Sequence, residues 1–143
     1  MAERALGPKD IHYVCVCHTV RKTARALTRR YDARLKPVGI TSGQFGILNA
    51  LSTGVASSLT TLADALGMDR TTLNRNLRPL EEQGLVRTVR TEDLRVRRLE
   101  LTKAGLRTMQ KAVPLWELAQ KDSTHRLTGM SWNNLRNSLK TLM

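Results

Sequence analysis

Aromatic residues make up only 3% of this 143-residue chain. Two Trp, two Tyr and one Phe are too few for the ring platforms that stack on single-stranded nucleic acid. The core must rest on Leu, Val, Ala and Met instead. Long apolar runs are absent as well, since no stretch approaches the ~20 apolar residues of a membrane span. The segment IHYVCVCHTV is short, interrupted by histidine and without the layout of a secretory signal. The cytoplasm is the expected compartment, and no membrane partner is expected. Cysteine is limited to Cys15 and Cys17, and an i, i+2 pair on one helix points to nearly opposite sides, a poor geometry for an internal disulfide. A metal site from Cys15, Cys17 and His18 is excluded for the same reason, because three residues so close on one helix do not converge. His12, His18 and His125 have no acid or nucleophile at a recognisable catalytic spacing, and there is no glycine-rich phosphate loop. The chain is read as a non-enzyme without cofactor or metal.

Acids are the other shortage. Lys and Arg number 24 against 12 Asp and Glu, a formal net charge of +12. Such an excess points to a polyanionic partner, duplex nucleic acid or an anionic membrane surface. With 41% hydrophobic residues the composition is globular, and the length suits one domain, with a core it can share with a second copy.

Apolar spacing gives the organisation. From Asp10 as N-cap, residues Cys17, Val20, Ala24, Leu27 and Tyr31 recur at offsets of three and four, which predicts one long helix ended by KPVGI. Thr41 and Gln44 form a capping box opening a helix with Phe45, Leu48 and Leu51 buried. STGVASS reads as a loop, and a short helix with Leu62, Ala63 and Leu66 stops at Gly67. Asp69 caps the next helix, Pro79 should bend or loosen its last turn, and Gly84 sits at the left-handed position past its end. Residues 85–90 and 96–101 read as short strands, with Leu99 and Leu101 on one face, joined by the charged turn TEDLR. Thr102 caps a further helix with Leu106, Met109, Val113 and Trp116 in register and a kink at Pro114. Trp132, Leu135, Leu139 and Leu142 line one stripe of a last helix. The predicted order is four helices, a hairpin and two helices, mainly α with a small β-hairpin.

Within LADALGMDRTTLNRNLRPLEEQGLV, residues 62–86, a tight turn parts two helices. On the second, Leu73, Leu77 and Leu80 form a buried edge. Arg70, Thr71, Asn74, Arg75 and Arg78 fall on the other side, with no acid between Arg70 and Pro79. That is the helix-turn-helix pattern, whose second helix enters a major groove. Arginine forks onto guanine, asparagine onto adenine, and threonine meets phosphate or a thymine methyl. Arg75 and Asn74 are the expected base readers, with Thr71, Thr72 and Arg78 on phosphates. The hairpin that follows carries Arg87, Arg90, Arg95, Arg97 and Arg98 and reads as a wing for phosphates or a minor groove. Arg95 is expected at its tip, Arg90, Arg97 and Arg98 on phosphates, and Asp93 as a support that pairs with Arg95 or Arg97 and orients the tip.

These pieces together resemble the MarR family of winged-helix regulators. The resemblance rests on L-A-x-x-L-G from Leu62, D-R-T-T from Asp69, L-E-x-x-G-L-V from Leu80, the wing's Asp93-Leu94-Arg95 and L-T-x-x-G from Leu101, and helix order and length agree over nearly the whole chain. It implies a single domain over 1–143, with dimerisation helices at about 10–36 and 103–143 and a winged-helix region at about 41–101. It also implies a homodimeric cytoplasmic transcription regulator on a pseudo-palindromic duplex operator, released in many members by a small-molecule effector. Independently, both terminal segments carry apolar stripes with little chain left to cover them. Two copies would cover them, placing Val14, Val20, Leu27, Leu135, Leu139 and Leu142 in or near a shared core.

CVCHTVRKTARALTRRY also resembles the first helix of the organic-hydroperoxide-sensing branch, with Cys17 at the peroxidatic position by its spacing to Arg25 and Tyr31. Of that branch's three activating tyrosines only Tyr31 is present; Arg21 and Ser42 hold the other two positions. Arg21, one turn from Cys17, favours a thiolate. Yet Cys17 lies on the apolar seam, and ordinary packing as a small hydrophobe is the expectation. The rival readings are thus a thiol-based redox regulator acting through Cys17 and a winged-helix module that binds RNA or protein without a regulatory ligand.

Overall fold

The computed structural model describes residues 6–54, 56–93 and 97–143. Helices α1 (Pro8–Val14) and α2 (Val16–Leu35) are followed by a 3-10 turn over Lys36–Val38. Next come α3 (Ser42–Ser52), α4 (Leu59–Leu66) and α5 (Arg70–Glu82), then β1 (Val86–Arg90) and β2 (Arg97–Leu101), and finally α6 (Lys103–Thr124) and α7 (Trp132–Lys140). The strands pair antiparallel, Val86 opposite Leu101 and Arg90 opposite Arg97. None of the described helices is long and apolar enough to cross a membrane.

The first helix departs from the sequence expectation. It is two helices, parted at Cys15, whose extended ψ of 112° breaks the ladder while its Sγ accepts the His18 N–H at 3.4 Å and so caps α2. Asp10 is not the N-cap of that segment. It sits inside α1, where its carboxylate accepts the Gly7 N–H at 2.8 Å. Periodicity could not register the break, because a one-residue interruption leaves the apolar spacing on either side intact.

Elsewhere the caps fall where side-chain chemistry places them. The Thr41 hydroxyl accepts from the Gln44 N–H at 3.3 Å and the Gln44 side chain accepts from the Thr41 N–H at 2.9 Å. Gly67 and Gly84 end α4 and α5 at φ 60° and 67°, a region only glycine enters without strain. Neither internal proline interrupts its helix: α5 runs past Pro79 to Glu82, and α6 runs past Pro114 to Thr124.

The core lies in the central part of the chain. Leu35, Ile47, Leu48, Leu62, Leu73, Leu80, Leu99 and Ala112 are almost wholly enclosed, and Phe45 stacks on Trp116 at 6.1 Å. The hairpin belongs to this core at its base, through Val86 and Leu99, and is not only a projecting ribbon. The expected seam of α6 holds in part, with Met109 and Trp116 packed against the core. Gly105, Ala112 and Ala119 are its buried positions, and Leu106 is exposed. These sit seven residues apart on one side of the helix, and their small size lets α6 approach α2 and α3 closely. Tyr31 on α2 donates to Gln120 on α6 at 2.6 Å, and Arg34 pairs with Asp122 beside it.

Candidate nucleic-acid interface

Helix α5 starts at a strong cap. The Asp69 carboxylate accepts both the backbone N–H and the hydroxyl of Thr72, each at 2.8 Å. The Thr72 amide, and then its hydroxyl, hold the Asp69 carboxyl below its ordinary value of 3.8. Because the folded-state carboxyl is the stronger acid, its contribution to stability is complete above that ordinary value. It is lost only as pH falls through the lower folded value. An NMR pH titration should therefore keep the Thr72 amide protected down to 3.8, with fraying of α5 only below; a midpoint above that pH contradicts the cap.

Leu73, Leu77 and Leu80 anchor α5, with exposures of 1%, 4% and 0%. Opposite them Thr71, Asn74, Arg75 and Arg78 are exposed at i, i+3, i+4 and i+7, one continuous stripe, with Arg70 exposed beside its start. Thr72, expected on phosphate, is half-buried with its hydroxyl committed to Asp69; its first task is to hold the helix start. Arg78 reaches back to Glu82 at 2.8 Å, and both side chains are exposed. Such a surface pair is worth little and yields readily to a phosphate.

The ribbon is fastened to the helix-turn-helix from two sides. Thr88 donates to Glu81 on α5 at 2.6 Å. On the other edge of β2, the Leu99 N–H donates to the Ser57 carbonyl at 2.7 Å, and Ser58 bridges Arg98. Ser58 also caps α4, accepting from the Thr61 N–H at 3.1 Å, so the segment read as a plain loop links the helix-turn-helix to the wing. Glu100 holds Arg87 at 2.8 Å and lies 3.7 Å from Arg98.

Beyond that pair the ribbon carries an unbalanced charge. Arg90 and Arg97 stand directly opposite each other across the strands, where like charges are destabilising, and both are exposed. Among the described residues no acid pairs with Arg70, Arg75, Arg90 or Arg97. An arrangement that is unfavourable in the free protein becomes favourable once a polyanion lies over it. At the turn, the Thr91 hydroxyl donates to the Asp93 carbonyl at 2.7 Å. The expected tip residue Arg95, and with it the Asp93–Arg95 support, lies outside the described residues.

Two glycines escaped the sequence reading as parts of this interface. Gly105 lies so close beneath the ribbon that a Cβ there would overlap the Leu85 carbonyl oxygen and come to 2.7 Å from Leu101. Thr102 binds the same turn, donating its hydroxyl to the Gly84 carbonyl at 2.7 Å and accepting from the Gly105 N–H at 3.0 Å. This is the physical content of the L-T-x-x-G motif. Gly43 brings the start of α3 against α5, where a Cβ would stand 2.9 Å from the Asn76 side-chain oxygen.

Cys17 does not pack as expected. It is exposed, and Cys15 is half-buried; α1 meets the start of α2, where the His12 and His18 rings lie 4.6 Å apart, but no described residue covers the apolar seam there. Val14 and Val20 share this exposure, at 56% and 41%. Leu27, Leu135 and Leu139 are half-buried, and Leu142 is 64% exposed.

A helix-turn-helix whose second helix shows a continuous Arg/Thr/Asn stripe, braced by a basic hairpin, defines a winged-helix protein of the DNA-binding class. Residues 38–95 match the model of the MarR family. The chain is 40% identical to the M. tuberculosis transcriptional regulator MosR, solved in complex with DNA. That match covers 90% of this chain and 92% of that one, with a TM-score of 0.81. A mutant E. coli MarR complexed with operator DNA shares the fold, at 21% identity, a TM-score of 0.80 and coverage of 93% and 96%. The uncharacterised HTH-type transcriptional regulator YwoH of Bacillus subtilis is 29% identical over 86 residues, 60% of this chain and 63% of that relative's length. The chain belongs to the MarR family of DNA-binding transcription regulators.

Proposed function

We propose that this protein is a homodimeric, cytoplasmic repressor that binds a pseudo-palindromic duplex operator and leaves it when a small-molecule effector binds. The observation that carries the DNA reading is the continuous exposed stripe on α5, flanked by the Arg90–Arg97 pair. Arg75 and Asn74 read base edges, Thr71 and Arg78 set the helix on phosphates, and Arg90, Arg97 and Arg98 hold the backbone beside it. The structures of MosR and MarR in complex with DNA and the regulation of the Bordetella bronchiseptica protein BpsR by 6-hydroxynicotinic acid support the same reading by kinship.

The test compares two variants on the operator recovered by genome-wide selection of bound fragments. Arg75→Ala should cost roughly 1–3 kcal/mol and relax preference at one base pair per half-site. Arg97→Ala should weaken operator and random duplex alike and lower the salt slope by about one unit. Arg75→Ala binding every sequence as tightly as wild type would remove α5 from the groove. Preference for RNA over duplex would favour the module reading instead.

The exposure of Cys17 keeps the thiol-based reading as the second one, although the Tyr31 hydroxyl is committed to Gln120 at 2.6 Å. Titrating the operator complex with an organic hydroperoxide separates the two. Equal behaviour of wild type and Cys17→Ser is the expected result; release of wild type alone establishes a redox regulator.

A further inference from the structure

Ser123 breaks the accounting of polar groups. It is the one described residue whose side-chain polar atom is shut off from solvent and bonded to nothing. A hydroxyl in that position has lost water and gained no partner, which native structures seldom leave uncompensated. It lines a cavity of about 220 Å³ enclosed by α2, the end of α6, the turn after it and the start of α7. Leu27, Tyr31, Leu127, Trp132 and Leu135 are the apolar and aromatic residues of its wall. Tyr31 offers little polarity there, because its hydroxyl is spent on Gln120.

The wall decides the chemistry of an occupant. Arg30 and Arg126 border the cavity, but both are exposed and the lining is almost entirely carbon. Their stems face inward while their charges remain in water, as long cationic side chains do over apolar surface. A carboxylate drawn inside would lose its hydration and find no buried cation to replace it. A neutral body meets no such penalty. An apolar cavity of about 150 Å³ in another protein holds benzene, so this one has room for a single ring with a short substituent. The other large concavities, along Arg29–Thr41 and between Leu51 and Leu106, are open grooves with no orphaned polar atom.

We infer that the α2–α6–α7 cavity is a binding site for a neutral, single-ring lipophile carrying one hydrogen-bond acceptor, which the Ser123 hydroxyl engages. Trp132 and Leu135 make α7 part of the wall, so occupancy ties α7 to α2 and α6. As an account of the effector, this rests on the regulator reading above; as a binding site it stands by itself.

Acetophenone serves as probe, with toluene lacking the acceptor and benzoate carrying charge. Calorimetry on the full-length protein, with Trp fluorescence as a second readout, should show one acetophenone per chain. Toluene should bind about tenfold more weakly and benzoate not at all. Ser123→Ala should erase the preference for acetophenone over toluene without lowering the melting temperature, since it removes an unpartnered hydroxyl. Ser123→Leu should fill the cavity and abolish binding of both. Absence of acetophenone binding by wild type, unchanged preference in Ser123→Ala, or tighter binding of benzoate each overturns the site as described. Operator affinity is measured in parallel. Acetophenone bound with operator affinity unchanged would retain the site and overturn its effector role, whereas loss of the site with intact operator binding would leave the regulator reading standing.

Discussion

Gly105→Ala should destabilise the protein by about 3 kcal/mol, the upper end of ordinary overpacking costs, and lower the urea midpoint at unchanged m-value. The prediction is sharp because helix propensity alone demands the reverse. Gly105 lies in the first turn of α6, where an exposed Gly→Ala exchange would stabilise by up to ~1 kcal/mol. Packing decides against propensity here. The added methyl would overlap the Leu85 backbone carbonyl oxygen and press on the Leu101 side chain; Leu85 adjoins Val86, which the strand pairing holds opposite Leu101. Relief requires α6 to lift from the ribbon, which strains the Thr102 contact to the Gly84 carbonyl at 2.7 Å. That contact sets the wing against α6, so operator affinity should fall even where the variant remains folded. An unchanged or raised urea midpoint would show that the approach of α6 to Leu85 is not what the glycine serves.

That glycine also marks where the sequence stops being legible. Features governed by neighbours in the chain could be read directly. The Thr41–Gln44 box, the Asp69 and Thr102 caps and the ends at Gly67 and Gly84 depend on three or four consecutive residues whose chemistry has few alternatives. The α5 stripe was equally plain, because eleven consecutive residues, Arg70–Leu80, contain leucines on one side and no acid. Features governed by distant partners were not. Ala112 and Ala119 carry too weak an apolar signal to outweigh Leu106, yet they are the buried positions, since α6 needs small side chains where α2 and α3 cross it. Ser57 and Ser58 read as loop because their partners, Leu99 and Arg98, lie some forty residues on. For Cys17, the seam was correct as a periodicity, but an apolar stripe becomes a core only where something covers it. At that end of α2 no described residue does.

The uncovered stripe leads to the other large effect, on assembly. Leu135→Glu with Leu139→Glu should abolish dimerisation and drop operator affinity into the non-specific range, a loss on the order of 10³-fold or more. The argument starts from α7. It is a nine-residue helix, too short to persist alone in water. Within the chain its Trp132 and Leu135 border the cavity shared with α2 and α6. Ile11, Val14, Val16 and Val20 on α1 and α2, with Leu118 on α6 and Leu142 past α7, add further exposed apolar surface. Surface of that extent is uncommon on a monomer, and a two-fold mate would cover it on both copies at once while setting two α5 helices about one DNA turn apart. The double variant also risks disturbing the subunit, so Leu142→Glu provides the control. That side chain is 64% exposed and supports nothing inside its own chain, so any effect it has is an effect on a partner. Sedimentation should show the wild type as a dimer at micromolar concentration, Leu142→Glu shifted toward monomer with an unchanged circular-dichroism spectrum, and operator affinity falling in step with the dimer fraction. A wild type that sediments as a folded monomer at that concentration, yet binds the full operator, would rule out the two-fold arrangement.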